Sequence, residues 1–210
     1  MIKILIADDH AVVRRGLKQI VSETPDIIVT GEASTGYEVL DKVRGNDYDA
    51  VILDISMPGG DGLNILKQIK KEKPKIPILL LSVHPEDQYA VRALKAGAAG
   101  YLTKDSATGE LISAIRRVSC GRKYVSSQLA EKLALDLETD RGKQLHEKLS
   151  DREYQVLCMM ASGKMAKEIA TDLCLSVKTI STYRSRILEK MRMKNNAELT
   201  HYAIKHGLIE

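Results

Sequence analysis

The sequence predicts an α/β protein, a doubly wound five-stranded parallel sheet, joined to a second, smaller all-α domain. Five short apolar runs alternate with segments of helical period through the first 120 residues, the order expected of βα units. Two of these runs, VILD at 51–54 and ILLLS at 78–82, are apolar without alternation, as strands covered by helices on both faces should be. From Leu149 onward the strand-type runs vanish. Val156, Leu157, Met160, Ile169 and Leu173 then recur at helical spacing.

In order, the strands are expected at Ile2–Ala7, Ile27–Glu32, Ala50–Leu53, Ile76–Leu81 and Ala98–Leu102. Helices fit between and after them at Ala11–Glu23, Tyr37–Arg44, Leu63–Glu72, Asp87–Ala96 and Ala107–Val118, each long enough for a crossover. Gly45 and Gly97 stand where helices should stop. Residues 1–120 form the first domain in this reading. Residues 121–148 form a linker holding one helix around Leu129–Leu137, flanked by Ser126-Ser127 and by the charged stretch ETDRGKQ. Residues 149–210 form the second domain. Ser150 with Glu153 three positions on gives a capping-box start, and Ser176 offers a similar cap to Val177–Met191. Gly163 and Leu173–Ser176 supply the breaks, so about four helices are expected.

Composition narrows the class. Charged residues at 29% and hydrophobic residues at 44% describe an ordinary globular chain. The opening MIKILIADDH breaks its apolar run at Lys3 and runs at once into acids, so it reads as neither a signal peptide nor a membrane span, and a cytoplasmic protein is expected. Cys120, Cys158 and Cys174 lack the close spacing of zinc ligands or disulfide frameworks, and all three read as reduced, structural residues.

Charge is uneven. Residues 1–145 hold 21 Lys and Arg against 20 Asp and Glu, whereas 146–210 hold 11 against 8. Lys178, Arg184, Arg186, Lys190, Arg192 and Lys194 face a single acid, Glu189, across one predicted helix and the residues just after it. That density points to a phosphate-backbone partner.

In a parallel sheet functional residues gather beyond the carboxyl ends of the strands. Asp8 and Asp9 follow the first strand, Asp54 ends the third, Ser82 ends the fourth and Lys104 follows the fifth. Carboxylates brought together repel one another unless a cation holds them, and Mg²⁺ takes such oxygen ligands. One carboxylate can then attack a phosphoryl group, with the metal and a Lys ammonium neutralising the transferred oxygens. Asp54 is the best nucleophile, because it leads a loop, Ile55 to Gly62, whose Pro58 and glycines let the backbone turn sharply. Any one of these acids could be a solvated loop residue or helix cap; their conjunction is what carries the reading.

Asp8-Asp9, Asp54 with Met57-Pro58 and Asp61-Gly62, Ser82, and Tyr101 three residues before Lys104 resemble the receiver domain of bacterial two-component response regulators, over about residues 2–120. The resemblance implies a flavodoxin-like receiver fold and phosphorylation of Asp54 by a sensor histidine kinase. It implies that Asp9, Asp54 and the Ser56 carbonyl bind Mg²⁺, assisted by Asp8. Lys104 would contact the phosphoryl group, Ser82 would donate its hydroxyl to it, and Tyr101 would change rotamer as Ser82 moves. For Tyr101 the alternative is a half-buried strand residue with its hydroxyl in water. Many receivers carry proline after this lysine, where this chain has Asp105, which leaves the geometry of the Lys104 loop open.

Residues 166–185, AKEIATDLCLSVKTISTYRS, read as a helix, a tight turn and a second helix with a polar outer face, the logic of a helix-turn-helix. Ala166, Ile169, Ala170, Leu173, Val177 and Ile180 supply an apolar seam. Ile187 and Leu188 read as core, while Lys178, Arg184, Arg186 and Lys190 read as phosphate contacts rather than as a merely solvated face. The segment 146–209 resembles the LuxR-type DNA-binding domain. Joined to a receiver, it makes the chain similar to a NarL/LuxR-type response regulator. By that resemblance Ser181, Thr182 and Ser185 lie at base-reading positions, and Lys178, Thr179, Tyr183, Arg184 and Arg186 at backbone-contact positions.

The function expected is regulation of transcription rather than catalysis: binding of double-stranded promoter DNA as a homodimer when Asp54 is phosphorylated, with RNA polymerase a further partner and no membrane. The alternative is a Mg²⁺-dependent phosphohydrolase with an aspartyl-phosphate intermediate. Against it stand the nucleophile's place after strand three, rather than with a second Asp after strand one, and the lack of a substrate-specific cap segment. A third reading makes the helical domain a protein-binding module.

Overall fold

The computed structural model describes residues 1–57, 62–83, 86–127, 129–131 and 144–209. The chain divides into two compact units, Met1–Leu133 and Ala134–Glu210.

In the first unit, β1 (Ile2–Ala7), α1 (Ala11–Ser22), β2 (Ile27–Ala33), α2 (Gly36–Gly45), β3 (Ala50–Asp54), α3 (Gly62–Glu72), β4 (Ile78–Ser82), α4 (Glu86–Lys95), β5 (Gly100–Thr103) and α5 (Lys104–Ser119) alternate strictly. The strands lie in the order β2-β1-β3-β4-β5, every pair parallel. After β1 the chain turns outward to β2 and then crosses to β3 on the other side, so the direction of winding reverses between β1 and β3. Every residue of β3 and β4 is buried, which is why their sequences do not alternate. Edge strand β2 alternates between buried and exposed positions. Ile4, Ile6, Ile52, Leu79 and Leu81 pack on one face with Leu17 and Val21 of α1 and Leu111, Ile115 and Val118 of α5. The intervening strand residues Leu5, Val51, Leu53 and Leu80 point the other way, and Val39, Val43, Leu66 and Ile69 of α2 and α3 are likewise buried.

Two boundaries differ from expectation for identifiable reasons. β4 begins at Ile78 rather than Ile76, since Pro77 has no amide to donate; its carbonyl still accepts from the Val51 amide at 2.9 Å. α5 begins at Lys104, three residues before Ala107, because the Thr103 hydroxyl caps it by accepting from the Ser106 amide at 3.1 Å. After α5, the chain returns along β5. The Tyr124 amide donates to the Ala99 carbonyl at 2.8 Å, and a Cβ on Gly100 would stand 2.7 Å from the Tyr124 carbonyl oxygen, so only glycine fits beneath this strap. The Tyr124 hydroxyl donates to Glu110 at 2.7 Å and the Ser126 hydroxyl to Glu86 at the start of α4. The expected helix at Leu129–Leu137 lies outside the described residues from 132 on, as do Pro58–Asp61 of the loop after Asp54 and most of ETDRGKQ.

In the second unit a 3₁₀ turn (Leu145–Lys148) precedes α6 (Asp151–Ala161), α7 (Ala166–Asp172), α8 (Val177–Met191) and α9 (Asn196–Lys205). The Ser150 capping box is formed: the Glu153 amide donates to the Ser150 hydroxyl at 3.3 Å and the Ser150 amide to Glu153 Oε2 at 2.8 Å. Ser176 caps α8 by accepting from the Thr179 amide at 3.1 Å. Tyr154, Leu157, Ile169, Ile180, Ile187, Leu199 and Ala203 are buried. Two seam expectations are corrected: Ala166 is exposed and Val177 is 46% exposed, each being the first residue of its helix, at the end of the seam. The cysteines are all free, but only Cys158 is buried, and Cys120 and Cys174 are exposed. Among the described residues no helix is long and apolar enough to cross a membrane.

Candidate functional site

Parallel pairing carries Asp8, Asp9, Asp54, Ser82 and Lys104 to one edge of the sheet, beside the reversal between β1 and β3. Lys104 Nζ lies 2.7 Å from Asp8 Oδ2 and 3.0 Å from Asp54 Oδ2, although Asp8 and Asp54 are 0% and 1% exposed. The Ser56 amide donates to Asp54 Oδ1 at 3.2 Å. Gly62 closes the loop by donating its amide to the Ile55 carbonyl at 2.9 Å. A Cβ there would stand 2.6 Å from Ile55 Cα, so any other residue would push the loop off the backbone next to Asp54. Asp8 is fixed from two sides. The His10 amide donates to its Oδ1 at 2.8 Å and the Arg14 guanidinium to its carbonyl at 2.7 Å.

Burial pushes the Asp54 carboxyl above the usual carboxylate range, and the Asp8 charge adds to this against the opposing pull of Lys104 and the Ser56 amide. For Lys104 burial acts downward, but the close contact and charge of Asp8, with the hydrogen bond and charge of Asp54, outweigh it and hold the ammonium above its ordinary value. Lys104 therefore stays charged. Asp8, Asp9 and Asp54 against that single ammonium leave an excess of negative charge. Asp8 Oδ2 and Asp9 Oδ1 are buried without a hydrogen bond; the approach of Lys104 to Asp8 Oδ2 is an ionic contact off hydrogen-bond geometry. Buried carboxylate oxygens with spare coordinating capacity and excess negative charge are what a hard divalent cation requires. One ligand atom from each of Asp8, Asp9, His10 and Asp54 lies within 4.8 Å of the others. The donor set fits Mg²⁺.

Ser82 is fully buried and ends β4 one residue past Leu81, the register partner of Asp54. Tyr101, opposite Leu80 on β5, is 0% exposed, which removes the half-buried alternative. The Lys104–Asp105 peptide is trans and lies in the first turn of α5. His10 was not anticipated at this pocket, although its place directly after Asp9 is the signal that could have found it. Arg14, one turn into α1, gave no such signal.

In the second unit α7, the turn through Cys174 (φ 52°) and α8 form the helix-turn-helix, with Ile169, Ala170 and Ile180 buried between the helices. On α8, Lys178, Ser181, Thr182, Arg184, Ser185 and Arg186 are exposed and Thr179 and Tyr183 half-buried. The hydroxyls of Ser181, Thr182 and Ser185 donate to the carbonyls of Val177, Lys178 and Ser181 at 3.1, 3.0 and 3.1 Å. Their oxygens are left as outward acceptors. Arg184 Nε donates to Asn196 Oδ1 at 2.7 Å. Lys190 departs from expectation: its ammonium donates to Glu153 Oε2 at 2.6 Å, so it neutralises the capping-box acid instead of standing free for phosphate. Burial pushes Glu153 up, but Lys190 and the Ser150 hydrogen bonds outweigh it and hold the carboxyl below the usual range.

Residues 4–116 match the family described as response regulator receiver domain, and residues 147–203 the family of bacterial regulatory proteins, luxR family. Response regulator UvrY of Escherichia coli K12 is 40% identical over 209 residues, covering 99% of this chain and 96% of its own. Response regulator GacA of Pseudomonas aeruginosa is 36% identical over 211 residues, covering 100% and 99%. Among solved structures, RcsB of Salmonella enterica serovar Typhimurium, bound to promoter rprA in the presence of the phosphomimetic BeF3⁻, is similar with a TM-score of 0.65 and 28% identity over 96% of this chain and 98% of that one.

Proposed function

The chain belongs to the NarL/LuxR-type response regulators, a receiver followed by a LuxR-type DNA-binding domain, and from that premise we propose that Asp54 accepts a phosphoryl group from a histidine kinase and that α8 delivers the signal to promoter DNA. The observation that carries the first half is the Lys104 ammonium held between the buried carboxylates of Asp8 and Asp54. In this reading residues 1–120 receive, 149–210 bind DNA and 121–148 connect them.

Asp9, Asp54 and the Ser56 carbonyl would hold Mg²⁺, assisted by Asp8; when bound, the cation neutralises charge on the transferred oxygens. An Asp54 carboxylate oxygen attacks the phosphorus in line. The P–N bond to the kinase imidazole breaks, its electron pair stays on that nitrogen, and an acyl phosphate forms on Asp54. Lys104 transfers its contact from carboxylate to phosphoryl oxygen, and Ser82 donates its hydroxyl to the same group. Withdrawal of Ser82 toward the phosphoryl group alters the packing around Tyr101, which biases a pre-existing equilibrium of the receiver.

On the output side, Lys178, Thr179, Tyr183, Arg184 and Arg186 contact phosphates, and Ser181, Thr182 and Ser185 face base edges. Short hydroxyls cannot form bidentate base pairs, so water and DNA shape carry part of the specificity. Promoter DNA is the partner seen with RcsB. Two-fold-related half-sites call for a homodimer of this chain when phosphorylated, with RNA polymerase as a further partner and the cytoplasm as the compartment. The phosphohydrolase alternative is not favoured, since the family regulates transcription. A mobility-shift titration with a promoter fragment tests the whole reading: BeF3⁻ with Mg²⁺ should tighten binding by wild type and leave Asp54→Asn unchanged. Equal tightening of both proteins would refute it.

A further inference from the structure

We propose that Asn196, the first residue of α9, is a positioning residue for DNA binding: it holds the Arg184 guanidinium of α8 ready for a backbone phosphate without taking away its charge. This rests on the reading of Arg184 as a phosphate contact and adds the residue that orders it.

Arg184 Nε donates to Asn196 Oδ1 at 2.7 Å, from one helix to the next. A guanidinium presents its donors on a rigid planar fork. With Nε bound, the plane is fixed, and the pair of Nη groups at its far end is left for two oxygens of one phosphate, the bidentate arrangement that arginine favours. Lys178 and Arg186, the other cations of α8 read as phosphate contacts, are exposed and have no such hydrogen bond among the described residues.

The chemistry of the acceptor decides what the contact does. Lys190 donates to the Glu153 carboxylate, and that pair is neutral. Arg184 donates to an amide oxygen, which carries no net charge, and the arginine remains exposed to solvent. One interaction neutralises a cation; the other orients one.

Asn196 is itself held by the frame around it. The chain leaves α8 through Arg192 in the left-handed region, φ 55°, and the Met193 amide donates back to the Leu188 carbonyl at 2.9 Å. Asn195 caps α9 by accepting from the Glu198 amide at 3.0 Å, and the Glu198 carboxylate accepts from the Lys194 amide at 2.9 Å. Glu198, the acid in the first turn of α9, is thus engaged by the backbone. Leu199 and Ala203, 1% and 0% exposed, fix the helix in the core of the second unit. A long side chain ordered before binding avoids an immobilisation cost equivalent to about two- to tenfold in affinity.

Fluorescence-anisotropy titration of the full chain against a short DNA duplex of arbitrary sequence, at several salt concentrations, tests this. Asn196→Ala should weaken binding by about two- to tenfold while the slope of log affinity against log salt stays the same, because the arginine charge is kept. Arg184→Ala should weaken binding and lower the slope by about one. Adding Asn196→Ala to Arg184→Ala should then cost nothing more, as expected of a residue that acts only through another. Asn196→Asp keeps an acceptor but pairs the arginine with a charge, so it should weaken binding and lower the slope. NMR of the arginine Nε–H groups gives a second readout. The Arg184 signal, identified by its loss in Arg184→Ala, should shift in Asn196→Ala and persist in Asn196→Asp. Three outcomes overturn the proposal and leave the phosphate contact standing: additive losses in the double variant, wild-type affinity in Asn196→Ala while Arg184→Ala is weakened, or wild-type affinity and slope in Asn196→Asp. Wild-type affinity and slope in Arg184→Ala overturn the proposal together with the reading of Arg184 on which it rests.

Discussion

At the carboxyl edge of the sheet, Asp8 and Asp54 are removed from water and Lys104 is 15% exposed; on α8, Lys178, Arg184 and Arg186 stand in solvent. Both regions are charged, and burial separates their uses. Converging carboxylates that the fold keeps dry are costly unless chemistry or a cation needs them, because each would otherwise take up a proton. Exposed cations cost little and act at a distance, weakly per residue and strongly in number. The first arrangement makes a reactive group; the second makes a surface.

The two units also differ in how they break. Ile180 is 1% exposed at the centre of the helix-turn-helix seam, and Ile180→Ala should cost about 2–5 kcal/mol. Because the chain forms two compact units, the loss should appear in denaturant unfolding as an early transition of the second unit with phosphodonor labelling of Asp54 retained. Simultaneous loss of labelling would show that the units do not fold independently.

A smaller effect is expected where the second unit has its own buried charge. Lys190→Ala leaves Glu153, 3% exposed, without its ammonium. The cost should be about 1–2 kcal/mol, less than for a fully dry pair because Lys190 is 42% exposed. Glu153 has its folded pKa held below the unfolded value, so its stabilisation is present above the unfolded carboxylate pKa of about 4.3 and is lost as pH falls through the folded one. Acid unfolding followed by circular dichroism should show this dependence weakened in Glu153→Gln. An identical acid transition in both proteins would remove Glu153 as its source.

The smallest effect belongs to a single exposed cation. Lys178→Ala should weaken binding of specific and unrelated DNA alike, and lower the slope of log affinity against log salt by about one. An unchanged slope would remove Lys178 from the phosphate contacts.

Much of this was legible in the sequence where local chemistry decides. The unbroken runs at 51–54 and 78–82 gave the central strands, since strands buried on both faces have no reason to alternate. Ser150 and Ser176 gave two helix starts through hydrogen bonds spanning three residues. The acidic set was legible because parallel strands bring their ends together whatever the loops do. Contacts between distant residues were not legible. Lys190 and Glu153 are 37 residues apart, and nothing near Lys190 distinguishes it from the equally exposed Arg186. The same holds for the strap at Tyr124, whose place is set by Gly100 and Ala99 on another element. Thr103 is a different case, for a threonine three residues before Ser106 at a strand end is a recognisable cap. Reading it would have started α5 at Lys104.

Asp54 is proposed as the single phosphoacceptor, and labelling of the full chain with a radioactive small-molecule phosphodonor in Mg²⁺ tests this most directly. Wild type should incorporate up to one acid-stable, base-labile phosphoryl group per chain, and Asp54→Asn none while keeping its folded circular dichroism spectrum. Undiminished incorporation in Asp54→Asn would contradict the account.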